Sequence, residues 1–129
     1  MGFKKIHTNQ APEAIGPYSQ GYIAGEFLYT SGQGGIEPAS GCVVEGGIAA
    51  QAEQTMQNLK AIFDEAGTSF ESVVKTTCFL SDMALFADFN AVYEKYFVTR
   101  PARSCVAVKT LPLDILCEVE AVAYLGKKM

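Results

Sequence analysis

IAAQAEQTMQNLKAIFDEAGTSFESVVKTTCFLSD, residues 48–82, carries two periodicities and the signals that separate them. Apolar side chains at Ile48, Ala52, Met56, Leu59, Ile62, Phe63 and Ala66 recur every three or four residues, which lays one stripe along an α-helix. Gly67 follows where the residue that closes a helix belongs. Residues 73–81 are rich in β-branched and aromatic side chains and read as a strand, after which Asp82 is placed to cap a second helix.

Working outward, residues 18–24 and 26–32 alternate around Ala24-Gly25 and predict a β-hairpin with Phe27, Tyr29 and Ser31 on one face. Gly32, Gly34, Gly35 and residues 37–41 break that alternation and read as loop. On the other side, Phe86, Phe89, Tyr93 and Phe97 form the stripe of the second helix, which Pro101 ends. Residues 104–110 and 115–125 predict two more strands around a turn at 111–114. The order ββ, α, β, α, ββ, with a hairpin expected at each end, gives an α+β class with a mixed sheet, one domain over residues 1–129.

Two helices cover only one face of such a sheet. The last strand is nevertheless apolar on both sides, with Ile115, Cys117, Val119, Ala121 and Ala123 on one and Leu116, Val122 and Tyr124 on the other. The uncovered face therefore calls for a partner, and a homo-oligomer is expected.

The composition agrees with a packed domain: 129 residues, 49% hydrophobic and 19% charged. A net charge of −4 and a pI of about 4.9 leave little with which to neutralise phosphates, so nucleic acid is not expected as a partner. The basic pairs Lys4-Lys5 and Lys127-Lys128 read as solvated tail residues. Cys42, Cys78, Cys105 and Cys117 show neither a Cys-x-x-Cys pair nor zinc spacing, and read as reduced thiols. The charged start lacks a following apolar stretch, and no run is long enough to cross a membrane, so a cytoplasmic location is expected.

Residue supply narrows the chemistry further. His7 is the only histidine and lies in an N-terminal segment read as poorly anchored, which argues against a catalytic triad or a His-Glu-x-x-His zinc site. Gly32, Gly34 and Gly35 do not extend into a dinucleotide or phosphate-binding motif, so neither cofactor nor metal is expected. What remains is a charge pattern. Arg103, Cys105 and Ala107 share one side of their strand, while Glu118 and Glu120 share a side with Leu116 and Val122. Two readings stay open. The glutamates are solvated or pair with Arg103 and Lys109 across a hairpin; alternatively, Arg103 grips a substrate carboxylate and one glutamate activates water. Tyr18, Ser31 and Asn90 are polar groups able to orient a small ligand.

Several segments together carry a resemblance: Gly16-Pro17-Tyr18-Ser19-Gln20, Thr30-Ser31-Gly32-Gln33, Asn58-Leu59, Lys75-Thr76-Thr77, Asn90 with Tyr93-Glu94, Pro101-Ala102-Arg103-Ser104-Cys105-Val106 and Glu118-Val119-Glu120-Ala121. In register from about Ala11 to Ala123, they resemble the RidA/YjgF family of imine deaminases. The resemblance implies a chorismate-mutase-like α+β fold assembled as a homotrimer, with sites between subunits. It also implies hydrolysis of 2-imino and 2-enamino acids, such as 2-iminobutanoate and 2-iminopropanoate, to 2-oxo acids and ammonia, a metabolite damage-control role. By position, Arg103 would bind the carboxylate and Glu118 would activate water; Cys105 would add backbone contacts, and Tyr18, Ser31 and Asn90 would line the pocket.

This chain departs from the resemblance at Gly34-Gly35, where the family commonly carries Ile-Pro, and at Arg100, where an aromatic usually precedes the proline. The connection from Phe97 to Pro101 is also short. A non-catalytic sensor or partner protein of the same fold, needing Arg103 without Glu118, is the alternative. A ribonuclease or translation-inhibitor role, a label some relatives carry, fits poorly with the acidic charge and single histidine.

Overall fold

The computed structural model describes residues 2–127, so Lys128 of the second basic pair lies outside the described residues. Strands β1 (Phe3–Ile6), β2 (Gly21–Ala24), β3 (Phe27–Thr30) and the two-residue β4 (Gln33–Gly34) precede helix α1 (Gly47–Ala66). Strand β5 (Val73–Leu80), helix α2 (Phe86–Tyr96) and strands β6 (Ala102–Ala107) and β7 (Cys117–Tyr124) follow. One mixed sheet runs in the order β1-β2-β3-β7-β5-β6, with β4 pairing beside β3 on β7.

Helix α1 forms for the reasons its stripe gives. Ala52, Met56, Leu59, Ile62 and Phe63 are fully buried, and each of the larger ones contributes roughly 1.5–3 kcal/mol by leaving water. Gly67, at φ 78, takes the left-handed turn that lets the Thr68 N–H reach back to the Phe63 carbonyl at 2.9 Å. Asp82 caps as expected, its Oδ1 accepting the Ala84 N–H at 2.8 Å, but it caps a short 3-10 turn, Met83–Leu85, that leads into α2. Both helices lie on one face. Thr76, Cys78 and Leu80 of β5 and Cys117, Val119, Ala121 and Ala123 of β7 turn toward them and are buried.

Three expectations are corrected. The last two strands do not form a hairpin: β5 lies between them, antiparallel to β7 and parallel to β6, because α2 is the crossover that carries the chain from β5 to its parallel neighbour. The N-terminal segment is anchored, with β1 antiparallel to β2 and Ile6 in the core; Lys4 and Lys5 are strand residues with exposed side chains. Finally, Gln33 and Gly34, read as loop, pair with Val119 and Glu118 of β7. Glycine permits this approach: a Cβ at position 34 would run into the Ile115 side chain, and one at Gly35 would sit 2.7 Å from the Gln51 Cα.

A buried polar residue fastens that approach. Asn58 of α1 donates from Nδ2 to the carbonyls of Gly34 and Ile36, both at 2.9 Å, and its Oδ1 accepts from Gln54. The face away from the helices carries Tyr22, Phe27 and Tyr29, together with Phe79, Val106, Glu118, Glu120 and Val122 of the longer strands. No helix among the described residues is long and apolar enough to cross a membrane.

Candidate active site

The parallel pairing of β6 with β5 sets Arg103 beside Thr76 and Cys105 beside Cys78, so both side chains stand on the helix-covered face. There Arg103 meets α2. Its Nη1 donates to Asn90 Oδ1 at 2.8 Å, and its guanidinium lies 4.7 Å from the Tyr93 ring centre and 5.5 Å from that of Phe86. Tyr93 is itself held, its hydroxyl 2.7 Å from Thr76 Oγ1 and its ring stacked on Phe97. Burial pushes the Tyr93 hydroxyl pKa up. Among the described residues no carboxylate lies within ion-pair distance of Arg103. A cavity of about 550 Å³ opens here, lined by Asn90, Tyr93, Glu94, Arg100 and Arg103 among others.

Cys105 stands two residues beyond Arg103. Burial raises its thiol pKa, and raises Cys78 to about 12 and Cys117 to about 11. These three are protonated at neutral pH and unsuited to act as nucleophiles.

Glu118 stands on the opposite face of the sheet. Its register partner on β5 is Phe79, one position out of phase with Cys78, which faces the helices. Glu118 and Tyr18 line a second cavity, of about 330 Å³, whose other walls include Gly32, Gly34, Pro112 and Ile115. Burial and, secondarily, the nearby Glu120 carboxylate raise the Glu118 pKa, the direction that favours a general base. Tyr18 is half exposed, and its hydroxyl accepts the Ile15 N–H at 3.4 Å. Ser31 lies next to this cavity's wall; its Oγ donates to the Gln20 carbonyl and accepts from Gln33 Nε2, each at 3.2 Å.

The chain thus brings Arg103, Asn90 and Cys105 together on one side of the sheet, and Tyr18 with Glu118 on the other. It does not bring the two groups together within one copy. Three contributors escaped the sequence reading. Thr76 fixes Tyr93, Tyr93 supports the guanidinium, and Gly32 lies so close to Glu118 that a Cβ there would overlap the carboxylate. The motif segments were the available signal: Thr30-Ser31-Gly32-Gln33 for the last, and Lys75-Thr76-Thr77 and Tyr93-Glu94 for the other two. Among the described residues, no three His, Cys, Asp or Glu side chains converge to hold a metal ion.

The arrangement compares closely with known proteins. The model of the family described as Endoribonuclease L-PSP matches residues 8–125. A 2-iminobutanoate/2-iminopropanoate deaminase of Salmonella typhimurium is 48% identical, over 93% of this chain and 96% of its own length. A RutC family protein of a Synechocystis strain is likewise 48% identical, over 97% and 98%. The crystal structure of Escherichia coli TdcF with bound serine superposes with a TM-score of 0.90 at 40% identity, covering 95% of this chain and 99% of that one. With the mixed sheet, its two helices and the motif residues in these places, the chain belongs to the Endoribonuclease L-PSP family, the RidA/YjgF family that its motifs resemble.

Proposed function

We propose that this protein hydrolyses 2-imino and 2-enamino acids, 2-iminobutanoate and 2-iminopropanoate among them, to 2-oxo acids and ammonia, at sites between the subunits of a chorismate-mutase-like homotrimer. The observation that carries the reading is the division of the site. An arginine that has no carboxylate partner among the described residues and a half-buried glutamate with a raised pKa each border a cavity, on opposite faces of one sheet. Neither half is sufficient alone. Arg103 of one copy facing Glu118 of the next would complete both, and the aromatic and aliphatic side chains of the uncovered face give that contact apolar area. The deaminase named among the relatives performs the same reaction by its name.

In this mechanism, Asn90 and the Tyr93 ring hold the guanidinium so that its free N–H groups take the substrate carboxylate in a two-bonded fork. Glu118 takes a proton from a water as its oxygen attacks the imine carbon, which is already electrophilic when its nitrogen is protonated. The carbinolamine collapses as Glu118 returns that proton to nitrogen: the C–N bond breaks, the hydroxyl oxygen becomes the carbonyl as its proton passes to the departing ammonia, and ammonium and the 2-oxo acid leave. Fixing acid and water side by side supplies much of the acceleration. Tyr18, Ser31 and the backbone at Cys105 would shape the pocket.

The test is to generate 2-iminobutanoate in situ and follow 2-oxobutanoate formation against the buffer rate. Glu118→Gln should lower the enzymatic rate by about 10²–10⁴, the usual contribution of a general base. No excess rate for the wild type, or full activity in Glu118→Gln, would sink the proposal. The TdcF structure with serine favours a second reading, a sensor for small amino or oxo acids. Calorimetry with 2-oxobutanoate separates the two, since a sensor binds it tightly with or without Glu118 and turns nothing over.

A further inference from the structure

The cavity beside Asn90 holds a second guanidinium. Arg100 and Arg103 both line it. Arg100 sits in the connection between α2 and β6 at φ 55, in the left-handed region that residues with a side chain seldom occupy. Its N–H closes that turn on the Phe97 carbonyl at 3.0 Å, a task glycine would perform without strain. An arginine kept where the backbone disfavours it points to a use for its side chain.

That side chain is exposed, and among the described residues it has neither a hydrogen bond nor an ion pair. Arg100 and Arg103 are three positions apart, at most about 11 Å of extended backbone, so two arginine arms reach one small ligand. Glu94 lines the same cavity, but among the described residues neither it nor any other carboxylate lies within ion-pair distance of Arg100, so a single carboxylate held by Arg103 leaves the Arg100 side chain without a direct partner.

We infer that Arg100 selects substrates bearing a second carboxylate: dicarboxylic 2-imino acids of four or five carbons, the 2-carboxylate on Arg103 and the distal one on Arg100. The inference rests on the imine-hydrolase reading and names its substrate class. The carbon of the protonated imine gains the oxygen of water and loses its bond to nitrogen. The nitrogen departs as ammonium, with two protons from the iminium and two from water, leaving a 2-oxo diacid and no net redox change.

The imines of L-aspartate, L-glutamate and L-2-aminobutanoate, each generated in situ by an amino-acid oxidase, provide the assay. The wild type should favour the diacids in kcat/KM. In Arg100→Gln the ratio of diacid to monoacid kcat/KM should fall at least tenfold, mainly through KM for the diacid, and Arg100→Lys should retain part of it. Arg100→Gly relaxes the backbone as well as removing the charge, and should fall as far as Arg100→Gln. An unchanged ratio in Arg100→Gln, a ratio kept by Arg100→Gly, or a wild-type preference for the imine of L-ornithine, whose cation would suit Glu94, overturns the inference. If no imine is accelerated, the hydrolase reading fails by itself. Calorimetry then decides the role of Arg100: tighter binding of 2-oxoglutarate than of 2-oxobutanoate, lost in Arg100→Gln, upholds it, and equal Kd values overturn it.

Discussion

Replacing Asn58 by leucine keeps the volume and removes the bonds that hold β4 to α1. Asn58 is 0% exposed and gives both its amide protons, at 2.9 Å each, to the carbonyls of Gly34 and Ile36. The Gly34 carbonyl keeps the Ile36 N–H at 2.9 Å, so its loss is partial, while the Ile36 carbonyl loses this donor. The half-buried Ile36 carbonyl stripped of its donor costs about 1–2 kcal/mol, the lower part of the range for a buried acceptor, and the lost second bond about 1 kcal/mol more, so Asn58→Leu should cost about 2–3 kcal/mol. Native domains have about 5–15 kcal/mol to lose, so the variant should still fold. At this chain length each kcal/mol is worth about 3–5 °C, which places the Tm about 6–15 °C lower. Urea unfolding and thermal scans at one fixed protomer concentration are the assay, because any assembly makes both depend on concentration. Lys60→Ala is the control on the same helix: it removes only an exposed pair with Asp64 and should stay within about 0.5 kcal/mol. Because β4 pairs Gly34 with Glu118, Asn58→Leu should also lower imine hydrolysis at temperatures where it is fully folded. A stability loss under about 1 kcal/mol would refute the claim that this amide fastens the strand.

Two further outcomes follow from the glutamate's surroundings. Gly32→Ala places a methyl against the Glu118 carboxylate and should reduce kcat at least tenfold with circular dichroism unchanged; undiminished turnover would show that the carboxylate is free to move. The folded state holds the Glu118 proton more tightly than the unfolded chain does, so its contribution to stability is fully present below the usual carboxylate pKa of 4.5 and is lost as pH rises through the raised folded value. Glu118→Gln should therefore match the wild type in urea midpoint at about pH 4 and exceed it at about pH 7, and an equal difference at both pH values would contradict the assigned cause.

Local pattern made α1 legible, because its stripe and Gly67 act through neighbours in sequence. Alternation made the two sides of β7 legible for the same reason. Strand order is not local. Residues 104–110 and 115–125 look like a hairpin in sequence, yet α2 delivers β6 to the far side of β5, and only the finished sheet shows it. The same limit applies to the site. Period two says that Arg103 travels with Cys105 and Glu118 with Glu120, but it does not say which face each strand presents, so their separation across the sheet was hidden. Asn90 meeting Arg103 depends on that crossover as well. The two-residue β4 is too short for any period, and β1 lacks an apolar alternation because only Ile6 of its four residues is buried.

That slender first strand protects what lies behind it. Its Lys4 and Lys5 put charge on the outer rim of the sheet, the usual deterrent to pairing with another chain, whereas Gly21–Ala24 has no charged residue at all. A chain clipped after Ile6 would present that uncharged ribbon as a template for indiscriminate strand addition. Proteolytic loss of six residues would then be felt as aggregation before it was felt as lost activity.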